Sequence, residues 1–183
     1  MKIGIDVDDV LTETFKKFLK VYNERYSKNF EFENLSSFYL WDVLDISKEE
    51  AFNLVDEIME EELEVVEGAV EGVVGLKETH EVFIITSRPE RHIKITEDFI
   101  KKYFGDLKIF YSKGVHGGEK TKAEICKELG IDFFVEDCDM YALDCAEKGI
   151  KVLLLDKPWN KSAVESNNLI RVKNWGEVMG KLK

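Results

Sequence analysis

The sequence predicts an α/β fold: a parallel sheet flanked by helices, with a small helical unit inserted after the first strand. Three observations predict it. From residue 81 onward, short β-branched or aromatic runs alternate with amphipathic helical stretches, the pattern of a parallel sheet. The first strand-like run ends near Asp8 and the second starts near Glu81, whereas a whole strand–helix–strand unit takes about 30 residues. The excess, roughly 12–75, carries its own helical faces and its own aromatic cluster.

Each element has a local cause. Residues 2–8 ("KIGIDVD") alternate and then saturate with β-branched residues, so a strand is expected. Leu11, Phe15, Phe18, Tyr22 and Tyr26 recur at helical spacing. "SKEE", Ser47 to Glu50, is a capping box opening a helix whose apolar side is Ala51, Leu54, Val55, Ile58 and Met59. A short helix is expected over 70–79, then the buried strand "EVFIIT" at 81–86. Pro89 suits the first turn of a helix that turns Ile93, Phe99, Ile100 and Phe104 inward. "LKIFYS" reads as a third strand, and Thr121–Leu129 as a helix stopped by Gly130. "DFFVED" is a fourth strand, 139–148 a helix stopped by Gly149, and "KVLLLD" a fifth strand. "NLIRV" reads as a sixth strand, with Asn174 and Glu177 capping a last helix.

With 183 residues the chain is long enough for one domain with a small subdomain. The formal charge of -11 argues against a nucleic-acid polymer as partner, because such partners meet basic faces. No apolar stretch is long enough to span a bilayer, and Met1-Lys2-Ile3 runs straight into a strand, so neither a signal peptide nor a membrane partner is expected. Cys126, Cys138 and Cys145 form no CxxC pair; free thiols in a reducing, cytoplasmic setting are the expectation.

In an open parallel sheet, ligands bind outside the carboxyl ends of the strands. The strands here end in Asp6 and Asp8, in Thr86 and Ser87, and in Glu136 and Asp137, and Lys122 opens the helix before the fourth. On an extended backbone Asp6 and Asp8 leave on the same side. Two such carboxylates, joined by Asp137, stay ionised together beside a cation, and hard oxygen ligands without His or Cys point to Mg²⁺. Lys122 adds fixed positive charge, and Thr86 a hydroxyl, for phosphate oxygens. A carboxylate nucleophile, Mg²⁺, a lysine and a hydroxyl together describe phosphoryl transfer through an aspartyl-phosphate.

This ordered set resembles the haloacid dehalogenase-like (HAD) hydrolases. "DVDDVL" resembles their DxDx[TV] motif, with Val10 a permitted variant. "IITS" is similar to the second motif, Lys122 to the third, and "FFVEDCDMYA" to the acidic fourth. "TSRP", "KAEICKELGIDFFVED" and "LLLDKPWN" resemble, more narrowly, the 5'-deoxyribonucleotidase type C branch. The resemblance implies a Rossmann-like core over 1–11 and 76–183, with a helical C1-type cap over 12–75. It implies a Mg²⁺-dependent phosphomonoester hydrolase acting on (deoxy)nucleoside 5'-monophosphates, or alternatively on another small phosphate ester such as a sugar phosphate. Asp6 would be the nucleophile and Asp8 the general acid and base. Asp6, the backbone carbonyl of Asp8 and Asp137 would hold the metal, with Glu136 one step behind. Thr86, Ser87 and Lys122 would bind phosphate.

Several residues keep two readings at this level. Lys120, two residues from Lys122, is the competing phosphate lysine. Arg88 either solvates a strand end or touches substrate. Phe38, Tyr39 and Trp41 either fill the core of the insertion or offer an aromatic face to a nucleobase, with Arg88, Phe38 and Trp41 the expected substrate contacts. "KGVHGGEK" reads as a plain loop rather than a phosphate cradle, and His92 and His116 as surface residues.

Overall fold

The computed structural model describes residues 1–113 and 119–182. The Gly-rich stretch and His116 lie outside these residues except for Lys113, Glu119 and Lys120. Six strands run in order of sequence: β1 (Lys2–Ile5), β2 (Glu81–Thr86), β3 (Lys108–Tyr111), β4 (Phe133–Glu136), β5 (Lys151–Leu155) and β6 (Leu169–Val172). They form one sheet in the spatial order β3-β2-β1-β4-β5-β6, with every pairing parallel. β1 therefore sits between β2 and β4, where the order reverses direction, and a crevice opens at their carboxyl ends.

Seven helices complete the described chain: α1 (Thr14–Tyr26), α2 (Lys48–Met59), α3 (Ala69–Thr79), α4 (Ile93–Phe104), α5 (Lys122–Leu129), α6 (Asp139–Glu147) and α7 (Trp175–Lys181). Their ends follow the local chemistry. Ser47 and Glu50 make a complete capping box, as do Thr121 and Glu124, and Asn174 accepts from the Glu177 amide. Gly130 closes α5 at φ 67°, a left-handed conformation that is costly for other residues. Pro89 precedes a short 3-10 turn at Glu90–His92 rather than entering α4 directly.

Three buried clusters organise the interior. One face of the sheet packs Ile3, Ile5, Ile84, Val135 and Leu153 against α3, α4 and α7. The other packs Phe83, Ile85, Phe134, Val152 and Leu154 against α5 and α6. A third cluster lies within the insertion: Phe15, Phe18, Leu19 and Tyr22 of α1 meet Ala51, Leu54 and Ile58 of α2, and Trp159 from the segment after β5 joins them. Each fully buried side chain of this kind contributes about 1.5–3 kcal/mol. Residue 76, where the sequence reading resumes the core after the insertion over 12–75, falls inside α3, and Ala69, Val73 and Leu76 pack beneath the sheet. No helix among the described residues is long and apolar enough to cross a membrane.

Two local expectations change. The first strand stops at Ile5, and residues 7–12 form a tight turn in which the Leu11 and Thr12 amides both donate to the Val7 carbonyl. Asp9 adopts φ 54° there, and its carboxylate accepts from the Phe15 amide, so the chain breaks before helix α1 begins at Thr14. His92, expected at the surface, is buried, because the 3-10 turn tucks it beneath α2, where its Nε2 lies 3.0 Å from Asp56.

Candidate active site

The crevice at the sheet's switch point holds a cavity of about 160 Å³. Its floor is charged: Asp6, Asp8, Ser87, Arg88, Lys122, Glu136 and Asp137. Its wall is apolar and comes largely from the insertion, with Phe15, Phe38, Tyr39, Trp41, Phe52 and Val55.

Backbone pairing places the floor. The Asp6 amide donates to the Val135 carbonyl at 3.0 Å, so ladder geometry continues one residue past β1 and delivers the carboxylate beside β4. Lys122, at the first position of α5 and 2% exposed, reaches Asp6 Oδ1 at 2.9 Å and Glu136 Oε2 at 2.8 Å. The other Glu136 oxygen accepts from the Asp137 and Cys138 amides at 3.1 and 3.0 Å. Asp137 Oδ2 accepts from the Trp159 indole at 3.0 Å, and the Asp137 carbonyl from Asn160 Nδ2 at 2.6 Å.

The charge is unevenly compensated. Burial pushes the Asp6 carboxyl up to about 8, with the Glu136 and Asp8 charges adding to it and Lys122 opposing. Burial, then Glu136, Asp9 and Asp6, push Asp137 well above the usual carboxylate range. Burial also takes Asp9 to about 7, against the pull of Lys157. Burial opposes the Lys122 charge, but Asp6 and Glu136 outweigh it and hold its pKa well above the usual lysine value. One lysine thus faces more negative charge than it neutralises.

Oxygens of Asp6, Glu136 and Asp137 lie within 4.8 Å of one another, and Asp6 Oδ1 is buried without a hydrogen bond of good geometry. Hard donors, a small span and an uncompensated charge fit a divalent cation such as Mg²⁺. Asp8 differs from its neighbours. Burial raises its pKa, but the Arg88 charge, the Arg88 hydrogen bonds and the Thr14 hydroxyl outweigh that and leave it lowered.

The predicted residues are brought together with two differences. Ser87 and Lys122 line the cavity, whereas Thr86 is fully buried behind it, its hydroxyl accepting from the Arg88 amide at 3.2 Å. Lys120 points away, exposed and paired with Glu128 at 2.7 Å. Phe38, Tyr39 and Trp41 are half-buried and line the cavity while packing on each other and on Phe15, Phe52 and Tyr141. Sequence reasoning did not single out Thr14, Trp159 and Asn160. The "PWN" string held the signal for the last two, since an indole and an amide just after a strand end can serve an adjacent carboxylate.

A parallel sheet with an insertion after β1 and this ordered acidic floor defines the class of the protein, a HAD-like hydrolase. The chain belongs to a particular family within it, "5' nucleotidase, deoxy (Pyrimidine), cytosolic type C protein", whose model matches residues 1–182. It is a phosphatase of the nucleotidase type. "Putative nucleotidase YqfW" of Bacillus subtilis is 30% identical over 185 residues, covering 98% of this chain and 92% of that one. "Nucleotidase CA_C3379" of Clostridium acetobutylicum is 23% identical over 183 residues, covering 98% and 92%. Among solved structures, the HAD-like hydrolase SP0104 of Streptococcus pneumoniae aligns with a TM-score of 0.70 at 12% identity, over 100% of this chain and 98% of that one. A HAD family hydrolase of Deinococcus radiodurans, solved with bound phosphate and sodium, aligns at 0.68 and 14% identity, over 99% and 94%. At these identities the structural likeness establishes the fold.

Proposed function

We propose that the protein is a Mg²⁺-dependent 5'-nucleotidase that hydrolyses (deoxy)nucleoside monophosphates through a phosphorylated Asp6. The observation that carries the reading is the buried Asp6–Lys122–Glu136–Asp137 cluster directly beneath an aromatic wall. Asp6 is the nucleophile: its carboxylate attacks phosphorus and the ester oxygen leaves. Arg88 holds the resting Asp8 ionised, so Asp8 takes up a proton from solvent before it gives one to that oxygen, then takes one from the water that releases phosphate. Lys122 and Ser87 hold phosphate oxygens at the cavity floor, and Thr86 braces the Ser87–Arg88 loop from beneath. The Deinococcus hydrolase, which shares the fold, was solved with bound phosphate, in keeping with a phosphate-bearing substrate.

Asp6, Asp137 and the Asp8 carbonyl would hold Mg²⁺, with Glu136 fixing Lys122 and the start of α6. Held there, the metal would supply positive charge that keeps Asp6 ionised and offsets the charge of the phosphate. Phe38 and Trp41 stack the base. The residues of the insertion, as a cap over the core, set substrate choice. Three buried cysteines without disulfides support a cytoplasmic setting.

The test is phosphate release from a panel of nucleoside 5'-monophosphates, ribose 5-phosphate and p-nitrophenyl phosphate, with Mg²⁺ or excess chelator. Nucleotides should lead ribose 5-phosphate, and chelator should stop all three. Full activity in chelator would overturn the mechanism. Equal efficiency on ribose 5-phosphate would overturn the nucleotidase assignment and favour another phosphate ester.

A further inference from the structure

Arg88 follows directly on Ser87 and lines the cavity floor, yet its side chain is only 2% exposed and its N–H groups are already engaged. Its guanidinium grips both Asp8 oxygens along one edge. Nη2 donates to Asp8 Oδ1 at 2.8 Å, and Nε donates to Oδ2 at 3.0 Å, with a longer 3.3 Å contact to Oδ1. The rear of the fork is also fixed: Nη1 donates to Thr96 Oγ1 at 3.3 Å, and that hydroxyl donates to the His92 carbonyl at 2.8 Å. On its other side Asp8 Oδ1 accepts from the Thr14 hydroxyl at 2.6 Å. Thr12 Oγ1 lies 2.7 Å from Thr14 Oγ1 and 3.2 Å from the Val7 carbonyl, and its single proton serves one or the other.

We propose that Arg88 is a positioning residue for Asp8, fixing the rotamer of the proton-transferring carboxylate from the opposite wall of the site, and not a phosphate ligand. The inference rests on Asp8 being the acid and base. Its physical basis is the place of Asp8 in the chain. Asp6 is aimed by the sheet ladder, but Asp8 stands on the turn after β1, with 30% of its side chain exposed. Strand pairing does not set its side-chain torsions. A planar, bidentate fork does, because both oxygens and the carboxylate plane are specified at once. Lysine, a point charge, cannot specify them.

The experiment compares phenyl phosphate with p-nitrophenyl phosphate on wild type, Arg88→Gln, Arg88→Lys, Asp8→Asn and the Asp8→Asn/Arg88→Gln double variant, with Mg²⁺ and with melting curves for each. The two esters are alike in size and differ in how much they need a proton on the leaving oxygen. Arg88→Gln should lower kcat on phenyl phosphate by roughly ten- to a hundredfold, the scale of a misplaced catalytic group. It should lower kcat on p-nitrophenyl phosphate less and leave KM and vanadate inhibition nearly unchanged. Arg88→Lys should not rescue. In the Asp8→Asn background the Arg88→Gln change should cost almost nothing further, because the group it positions has lost its function. A raised KM and weaker vanadate inhibition that persist in the Asp8→Asn background would overturn the proposal and make Arg88 a phosphate ligand. An Asp8→Asn variant with the wild-type rate on phenyl phosphate would instead overturn the acid–base role of Asp8. Should Arg88→Gln fail to fold, Arg88→Lys carries the test, since it keeps the charge and loses the planar fork. The same leaving-group split is then expected, and wild-type rates on both esters would overturn the clamp.

Discussion

The floor and the wall of the candidate site's cavity are built on different principles. The floor is charged, and its side chains are set by backbone: Asp6 by the ladder to β4, Glu136 and Asp137 by the end of β4, and Lys122 by the first turn of α5. The wall is aromatic and is set by side chains packing on one another, such as Tyr39 stacked on Trp41 at 5.0 Å between centroids and Trp41 against Phe52 at 5.4 Å. Buried charge must be met by fixed partners within hydrogen-bond reach, so the floor tolerates little change. An apolar wall needs area and shape, so it tolerates substitution of similar volume. Under the proposed function, chemistry would fall to the floor and substrate choice to the wall.

The comparison breaks most sharply at Asp6. Asp6→Asn should take turnover to background and abolish any phosphorylated enzyme trapped in acid, since an amide is a poor nucleophile. Its effect on stability should have the opposite sign. With a folded pKa of about 8 against a usual 3.8, Asp6 in the metal-free fold keeps a proton that the unfolded chain has lost. The stability this group contributes is present in full below pH 4 and drains away as the pH rises toward 8. Melting curves without metal, at pH 5 and pH 8, should therefore show wild type losing more than Asp6→Asn. A wild type equally stable at both, relative to the variant, would remove the argument that the floor is electrostatically strained.

Lys122→Met should come next. It leaves Asp6 and Glu136 buried without their cation, at a cost of roughly 3–5 kcal/mol in unfolding measurements, and weakens inhibition by phosphate or vanadate. Lys120→Ala should change neither, because that side chain stands in solvent with Glu128. The reverse pattern would show Lys120 to be the phosphate lysine.

The smallest effect is expected at the wall and would sharpen the comparison. Stacking a nucleobase gives about 1–3 kcal/mol, so wild type should favour nucleotides over ribose 5-phosphate roughly ten- to a hundredfold in kcat/KM. Trp41→Leu or Phe38→Leu should shrink that ratio and leave p-nitrophenyl phosphate hydrolysis nearly unchanged. Circular dichroism shows whether the insertion still folds. Loss of all three activities alike would mean that the wall supports the floor.

Legibility followed the same line. The strands and helices from residue 81 onward were readable because each carries its own cause: β-branched runs, the Thr121–Glu124 and Asn174–Glu177 caps, and Gly130 and Gly149 as stops. The floor residues were readable because strand ends in a parallel sheet converge. The turn after Ile5 was less so, since a run of Val and Asp reads as continued strand until the Phe15 amide claims the Asp9 carboxylate. Burial of His92 depended on Asp56, far away in the chain, and so had no local signal.

What the sequence determined by itself was the order of elements and the chemistry at their ends, because capping, periodicity and turn chemistry act over a few residues. Only the tertiary structure decided which cation answers which carboxylate. Lys122 and Arg88 are both basic residues near motifs, but one neutralises Asp6 and Glu136 while the other clamps Asp8 across 80 residues of chain. That choice rests on distances and angles of a few ångströms between segments remote in sequence. Coulomb attraction and hydrogen-bond geometry fall off too steeply with separation for any local pattern to encode it.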